Sequence, residues 1–358
     1  MARLDSFLRL VAEQGASDLH VHAGMRPTIR HSGQLLALPF RVLSSAETTS
    51  FFDEVLTEEQ QLTLEARGET DFIYTLEGVG RFRVTVFRQL NGLGAVFRIV
   101  PETPPVFDDL LLPPVLRRIT QLQNGLVLVT GPTGSGKTTT AAALLHEINR
   151  TSQRHLVTIE DPIEYLHRPI RSVVTQRQVE KHAESFAAAL RASLREAPDV
   201  LFIGELRDQE TVALALTAAE TGVLVIATVH TNSAASTIDR LVDVMPVETR
   251  NQTRSLVASS LRCVVAQQLV PRAGGEGLVA VMEILLQSWA VSTMIREGKT
   301  HLIDAHLHGG SGRPPGTQSL DESIANSVRH GAILLEDGLE AAAHPDRVRA
   351  MVGAPSDG

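Results

Sequence analysis

The chain has 358 residues, 43% hydrophobic and only 4% aromatic, enough to fill two cores with mostly aliphatic side chains. A net charge of −8 and a pI near 5.9 argue against a broad nucleic-acid-binding face, which needs an excess of Lys and Arg. The single cysteine, Cys263, excludes an intramolecular disulfide and a four-cysteine zinc site, and no apolar run approaches the ~20 residues of a membrane span.

Leu4, Phe7, Leu8 and Val11 recur at helical spacing. They do not form the apolar core of a signal peptide, so a cytoplasmic setting is expected. Short strands follow at 19–22 and 28–30, a turn at His31, Ser32 and Gly33, then a strand at 35–38. Two helical patterns fill 46–66. Runs at 71–76, 81–88 and 95–100, separated by glycine turns, predict an antiparallel meander. Within it Phe82, Val84 and Val86 share one face, while Arg81 and Arg83 take the other. Arg98 likewise opposes Phe97 and Ile99. Residues 1–100 therefore read as a small α+β domain.

Pro101, Pro104, Pro105, Pro113 and Pro114 mark 101–114 as a linker. From 115 to 285, apolar runs at 126–129, 156–159, 200–203 and 223–229 alternate with helical stretches, which predicts a parallel sheet wrapped on both faces. Residues 286–358 read as helical, interrupted by a mobile loop at 309–317.

The most specific signal is Gly131, Pro132, Thr133, Gly134, Ser135, Gly136, Lys137 and Thr138, which fit G-x-x-x-x-G-K-[ST] between a buried strand and an alanine-rich helix starting at Thr139. Glycines let backbone N–H groups curl around phosphates, and the helix N-terminus adds partial positive charge. Lys137 reaches the β- and γ-phosphates, and the Thr138 hydroxyl suits Mg²⁺.

Three further strand ends carry polar groups, and ligands of such sheets lie beyond the carboxyl ends of the strands. Glu160, Asp161 and Glu164 crowd one end, either as an acidic turn or as the source of a group that orients attacking water. Gly204 stands where a metal-binding aspartate usually ends the strand, with Glu205 next; the longer side chain reaches a metal through water. His230, after 223–229, is expected at the sheet edge, as a structural residue or a phosphate sensor. The meander arginines are either a solvated face or a donor of an arginine finger to ATP. His301, His306 and His308 fit no common zinc spacing and read as surface residues.

Together these segments resemble the secretion ATPase superfamily and, within it, the PilT-type ATPases of bacterial type IV pili. Residues 131–138 match its Walker A motif, 158–165 its Asp box, 199–208 its atypical Walker B motif and 221–240 its His box. Residues 16–21 and 80–84 resemble its N-terminal domain. The resemblance implies an α/β fold: a RecA-like P-loop ATPase core, an N-terminal PAS-like domain and a helical tail. It implies a homo-hexamer that hydrolyses ATP with Mg²⁺ to retract pili in twitching motility, peripheral to the cytoplasmic membrane. The implied partners are an inner-membrane platform protein and a second pilus ATPase, with no nucleic acid. By motif match, Glu164 takes the general-base role, Glu205 the Mg²⁺-water role and His230 the His-box role, and Arg83 and Arg98 match arginines that meet nucleotide. The family's retraction members carry Ala-Ile-Arg-Asn-Leu-Ile-Arg-Glu. Here the segment has Ser292 and Thr293 in place of Arg and Asn, which leaves an accessory, PilU-like role open. The short chain and single cysteine speak against the assembly class.

Overall fold

The computed structural model describes residues 3–31, 34–101, 103–275, 277–309 and 312–353. The expected turn residues Ser32 and Gly33, and Gly310 and Ser311 of the expected mobile loop, lie outside them. The chain divides into two compact units, the second starting at Thr103.

The first unit runs α1 (Asp5–Glu13), β1 (Asp18–His22), β2 (Thr28–His31), β3 (Gln34–Ala37), α2 (Ser45–Asp53), α3 (Glu58–Arg67), β4 (Glu69–Leu76), β5 (Gly80–Gln89) and β6 (Gly92–Val100). Its sheet is antiparallel throughout, in the order β3-β2-β1-β6-β5-β4. Alternation decides which face is buried: Phe82, Val84, Val86 and Phe97 pack with Leu4, just before α1, and with Leu8, Phe51 and Phe52 of the helices. Ser44 with Glu47, and Thr57 with Gln60, form reciprocal capping boxes that fix where α2 and α3 begin.

The opposite face carries a row of charge. Arg83 pairs with Arg98, Arg98 with Asp18, and Asp18 with Arg30, across β5, β6, β1 and β2. Like charges directly opposite one another destabilise a sheet. Asp18 offsets this: it is buried, it accepts a 2.7 Å hydrogen bond from Arg98 Nε and another at 2.7 Å from the Ser17 hydroxyl, and Arg30 Nε lies 3.6 Å away. Burial alone would raise its carboxyl, but the Ser17 and Arg98 hydrogen bonds outweigh burial and hold it below the usual aspartate value. Arg98 thus stands off the core, as alternation predicts, and is also tied to a buried anion.

The second unit runs α4 (Pro114–Ile119), β7 (Gly125–Thr130), α5 (Lys137–Thr151), β8 (His155–Glu160), β9 (Val173–Gln178), α6 (Phe186–Ser193), β10 (Val200–Ile203), α7 (Gln209–Glu220), β11 (Leu224–Val229), α8 (Ala234–Asp243), α9 (Arg250–Ser260), β12 (Leu261–Pro271), β13 (Leu278–Leu286) and then five helices. These are α10 (Trp289–Arg296), α11 (Leu302–His308), α12 (Leu320–Arg329), α13 (Leu335–Ala341) and α14 (Pro345–Gly353). The sheet order is β13-β12-β7-β11-β10-β8-β9. All neighbours are parallel except β13, which runs against β12. The four apolar runs became β7, β8, β10 and β11, buried on both faces as parallel strands require.

Part of the proline-rich stretch belongs to this unit: Phe107 and Leu112 are buried with Val127, Ala141 and Leu144, and Pro114 opens α4. The expectation of a mobile loop at 309–317 needs correction on its C-terminal side. Arg313 grips both carboxylate oxygens of Glu322 at 2.9 and 3.0 Å, and the Thr317 N–H donates to the Pro314 carbonyl. The helical tail is folded onto the core, α12 and α14 closing over Val270 and Val281.

Asp18→Asn should destabilise the protein by about 1–2 kcal/mol at neutral pH, because an amide cannot balance the arginine row. Since the Asp18 pKa is depressed on folding, the wild-type advantage is complete above the unfolded pKa of about 4 and fades as pH falls below it. Urea unfolding at pH 7 and pH 3 checks both.

Candidate active site

The phosphate loop is shaped by what lies beneath it. Gly131, Gly134 and Gly136 all have positive φ, at 146°, 82° and 82°. A Cβ on Gly131 would lie 2.3 Å from the Gln267 carbonyl oxygen, and one on Gly136 would lie 2.8 Å from Gln267 Nε2. Two of these glycines therefore answer to close approach as well as to backbone angle. Gln267, on β12, is buried; its Nε2 donates to the Ser135 carbonyl at 2.6 Å, and its Oε1 accepts from the Thr140 hydroxyl at 2.7 Å. One side chain thus joins the loop to the first turn of α5.

Lys137 opens α5. Its Nζ donates to the carbonyls of Gly131 (2.9 Å) and Pro132 (2.8 Å) and lies 3.5 Å from His230 Nδ1. Burial depresses its pKa, opposed by the charges of Glu205 and Glu164. Lys137 and Thr138 face a cleft of about 190 Å³ whose other walls include Glu160, Asp161, Glu164, Glu205, Arg207 and His230. The ends of β7, β8, β10 and β11 meet there, as the topology of such sheets requires. Two threonine contacts hold these ends in register: Thr130 with Thr231, and the Thr228 hydroxyl to the Gly204 carbonyl.

The carboxylates differ. Glu160 ends β8 and is buried, accepting hydrogen bonds from the Thr158 hydroxyl (2.6 Å) and Gln176 Nε2 (3.3 Å). Burial pushes it up to about 7 against these bonds. Glu164, four residues on, is exposed in the cleft. Burial raises Glu205, but Arg207, 2.6 Å away, and His230, whose Nε2 is 3.4 Å away, more than compensate and leave it below the ordinary glutamate value.

The structure brings Thr133, Gly134, Lys137, Thr138, Glu164, Glu205 and His230 to one cleft. Gly131, Pro132, Ser135 and Gly136 shape the loop behind it. Thr139 turns its hydroxyl to Tyr165 (3.0 Å). His230 needs one correction. β11 lies inside the sheet between β7 and β10, so His230 sits at the carboxyl rim and not on an edge strand, linking Lys137 to Glu205. Arg83 and Arg98 belong to the first unit. Sequence reasoning missed Gln267; its signal was a glutamine pair, Gln267 and Gln268, interrupting an otherwise apolar run. It also gave Glu160 no role apart from its acidic neighbours.

Gln267→Ala leaves the Ser135 carbonyl and Thr140 hydroxyl without partners, and should cost about 2–4 kcal/mol of stability and weaken nucleotide binding; urea unfolding and calorimetric titration with ADP measure the two effects. Because folding raises the Glu160 pKa from 4.5 to about 7, wild-type stability should fall as pH rises through that window. Glu160→Gln removes this fall, so its melting temperature should overtake that of the wild type between pH 5 and pH 8, with a gain on the order of 3 kcal/mol at the upper end.

The family described as type II/IV secretion system protein matches residues 80–311. The type IV pilus retraction ATPase PilT of Pseudomonas aeruginosa is 43% identical over 344 residues, covering 96% of this chain and 99% of that protein. The type IV pilus ATPase PilU of the same organism is 36% identical over 355 residues, covering 99% and 92%. A crystal structure of the pilus retraction motor PilT with bound ADP aligns with a TM-score of 0.89 at 40% identity, covering 98% of this chain and 99% of that one. The α/β fold, the phosphate loop and the converging strand ends thus have a shared origin, and the chain belongs to the type II/IV secretion system protein family.

Proposed function

We propose that this protein is an ATP-hydrolysing motor that works as a ring of six copies to retract a type IV pilus, the basis of twitching motility. The observation that carries the reading is the meeting of Lys137, Thr138, Glu164, Glu205 and His230 in one cleft at the carboxyl rim of the sheet. The 43% identity to a pilus retraction ATPase over nearly the whole chain supports it.

ATP would place its phosphates in the loop at residues 131–138, against the N-terminus of α5. A hydroxyl and carboxylates are hard oxygen donors that fit Mg²⁺, so Thr138 directly and Glu205 through water are the residues to hold it. Bound there, Mg²⁺ supplies positive charge to the β- and γ-phosphate oxygens. Lys137 exchanges its loop carbonyls for phosphate oxygens. Glu164, exposed in the cleft, orients the attacking water and takes its proton. His230, between Lys137 and Glu205, senses the terminal phosphate and passes its presence to the metal-side carboxylate. For the arginine finger, Arg83 is the better candidate: among the described residues it has no ion pair, whereas Arg98 is engaged by Asp18.

No helix of the described residues is long and apolar enough to cross a membrane, so a motor of this kind would act through a platform protein of the inner membrane, from its cytoplasmic face. Nucleic acid has no place in this reading. A second reading, an accessory ATPase acting with a partner motor, is favoured by one observation. Ser292 stands where retraction members carry arginine, and it is turned inward, its hydroxyl donating to the Ala258 carbonyl at 2.8 Å.

Lys137→Ala and Glu164→Gln should each lower Mg²⁺-dependent ATP turnover by roughly 100-fold or more. Turnover equal to wild type in both would overturn the enzymatic reading. In cells lacking the protein, labelled pili should extend and fail to retract; retraction at the normal rate would leave only the accessory reading.

A further inference from the structure

Far from the phosphate cleft, the helical tail gathers three side chains from separate segments: His308 at the end of α11, Asp321 in the first turn of α12, and His344 just before α14. Asp321 is fully buried. Its Oδ2 lies 3.3 Å from His308 Nε2 and 2.9 Å from His344 Nδ1, and its Oδ1 accepts the backbone N–H of His344 at 3.0 Å. The three candidate donor atoms lie within 4.8 Å of one another. We propose that His308, Asp321 and His344 form a binding site for a divalent transition-metal ion of the zinc class.

Four observations carry this. First, a buried carboxylate needs a cation, and among the described residues no lysine or arginine pairs with Asp321; its ion-pair partners are the two histidines. Second, His308 Nδ1 lies 2.8 Å from the Asp304 carbonyl oxygen, which can only accept, so the proton of a neutral ring sits on Nδ1. In a neutral ring the lone pair of Nε2 then faces the carboxylate oxygen, two acceptors pointing at each other; either a second ring proton or a metal ion between them resolves the conflict, and the titration below separates the two. An N–H to backbone carbonyl bond on the far nitrogen is also how metal-ligating histidines are commonly oriented. Third, the spacing fits. Bonds of 2.0–2.1 Å in a tetrahedral site put ligand atoms roughly 3.3 Å apart, and Asp321 Oδ2 lies 3.3 Å from His308 Nε2 and 2.9 Å from His344 Nδ1. Fourth, a second carboxylate adjoins the cluster: Asp304 Oδ1 lies 3.4 Å from His308 Nδ1.

The donor set, two imidazoles and one carboxylate with a fourth position left to water, suits zinc and offers too few oxygens for calcium. His344 is part-exposed, which provides an entry path. A bound ion would clip α11, α12 and the start of α14 together where the tail packs on the core. The expectation that His308 is a surface residue needs correction, since its side chain is largely enclosed; its partners lie far along the chain.

The test uses the untagged full chain, stripped with a chelator, without nucleotide, titrated with Co²⁺ and then Zn²⁺. One Co²⁺ per chain should bind with the intense visible absorption of a four-coordinate site, and Zn²⁺ should displace it. His344→Gln and His308→Gln should each weaken binding roughly tenfold or more. The melting temperature of each variant in metal-free buffer, measured beside its Co²⁺ affinity, separates lost ligation from lost folding. Absence of saturable Co²⁺ binding, or equal affinity in wild type and His344→Gln, would overturn the proposal.

Discussion

Everything at the phosphate cleft depends on how close β12 comes to the loop. The Gln267 carbonyl and side chain occupy the space that a Cβ at Gly131 or Gly136 would need, and the same side chain bonds the loop to α5. The loop therefore cannot relax without breaking two buried hydrogen bonds, and its shape is set before any phosphate arrives. Preorganisation of this kind makes electrostatic catalysis effective, because no reorganisation is needed as charge develops.

A second constraint is the balance of charge around one buried lysine. Lys137 feels the charges of Glu205 and Glu164, while Arg207 and His230 hold Glu205 ionised. Burial separates two carboxyls only four residues apart: Glu160 is held where its proton is retained near neutral pH, and Glu164 is left free to meet water. Divergent environments for neighbouring carboxyls are a recurrent way of assigning different tasks to the same chemistry.

Much of this was legible in the residues, for identifiable reasons. The four central strands are apolar on both faces, so β7, β8, β10 and β11 stand out as uninterrupted runs. The meander of the first unit is marked by its turns and by strict alternation. β9 was hidden because it is a half-exposed edge strand rich in polar residues, and β12 because Gln267 and Gln268 break its pattern. Register is what a single sequence withholds. Arg98 could be placed off the core, but its pairing with Asp18, 80 residues away, follows only from which strands neighbour one another. The same holds for His308, whose partners Asp321 and His344 come from other segments, and for Phe107 and Leu112, which look like linker and are core.

The central claim is that a triphosphate is held and cleaved at the carboxyl rim of the seven-stranded sheet. A crystal structure with Mg²⁺ and a non-hydrolysable ATP analogue tests it most directly. The account predicts the terminal phosphate about 3 Å from Lys137 Nζ and facing Glu164, with the bond from Gln267 to the Ser135 carbonyl intact. An analogue seated elsewhere, or a loop refolded with Gln267 turned away from it, would contradict the account.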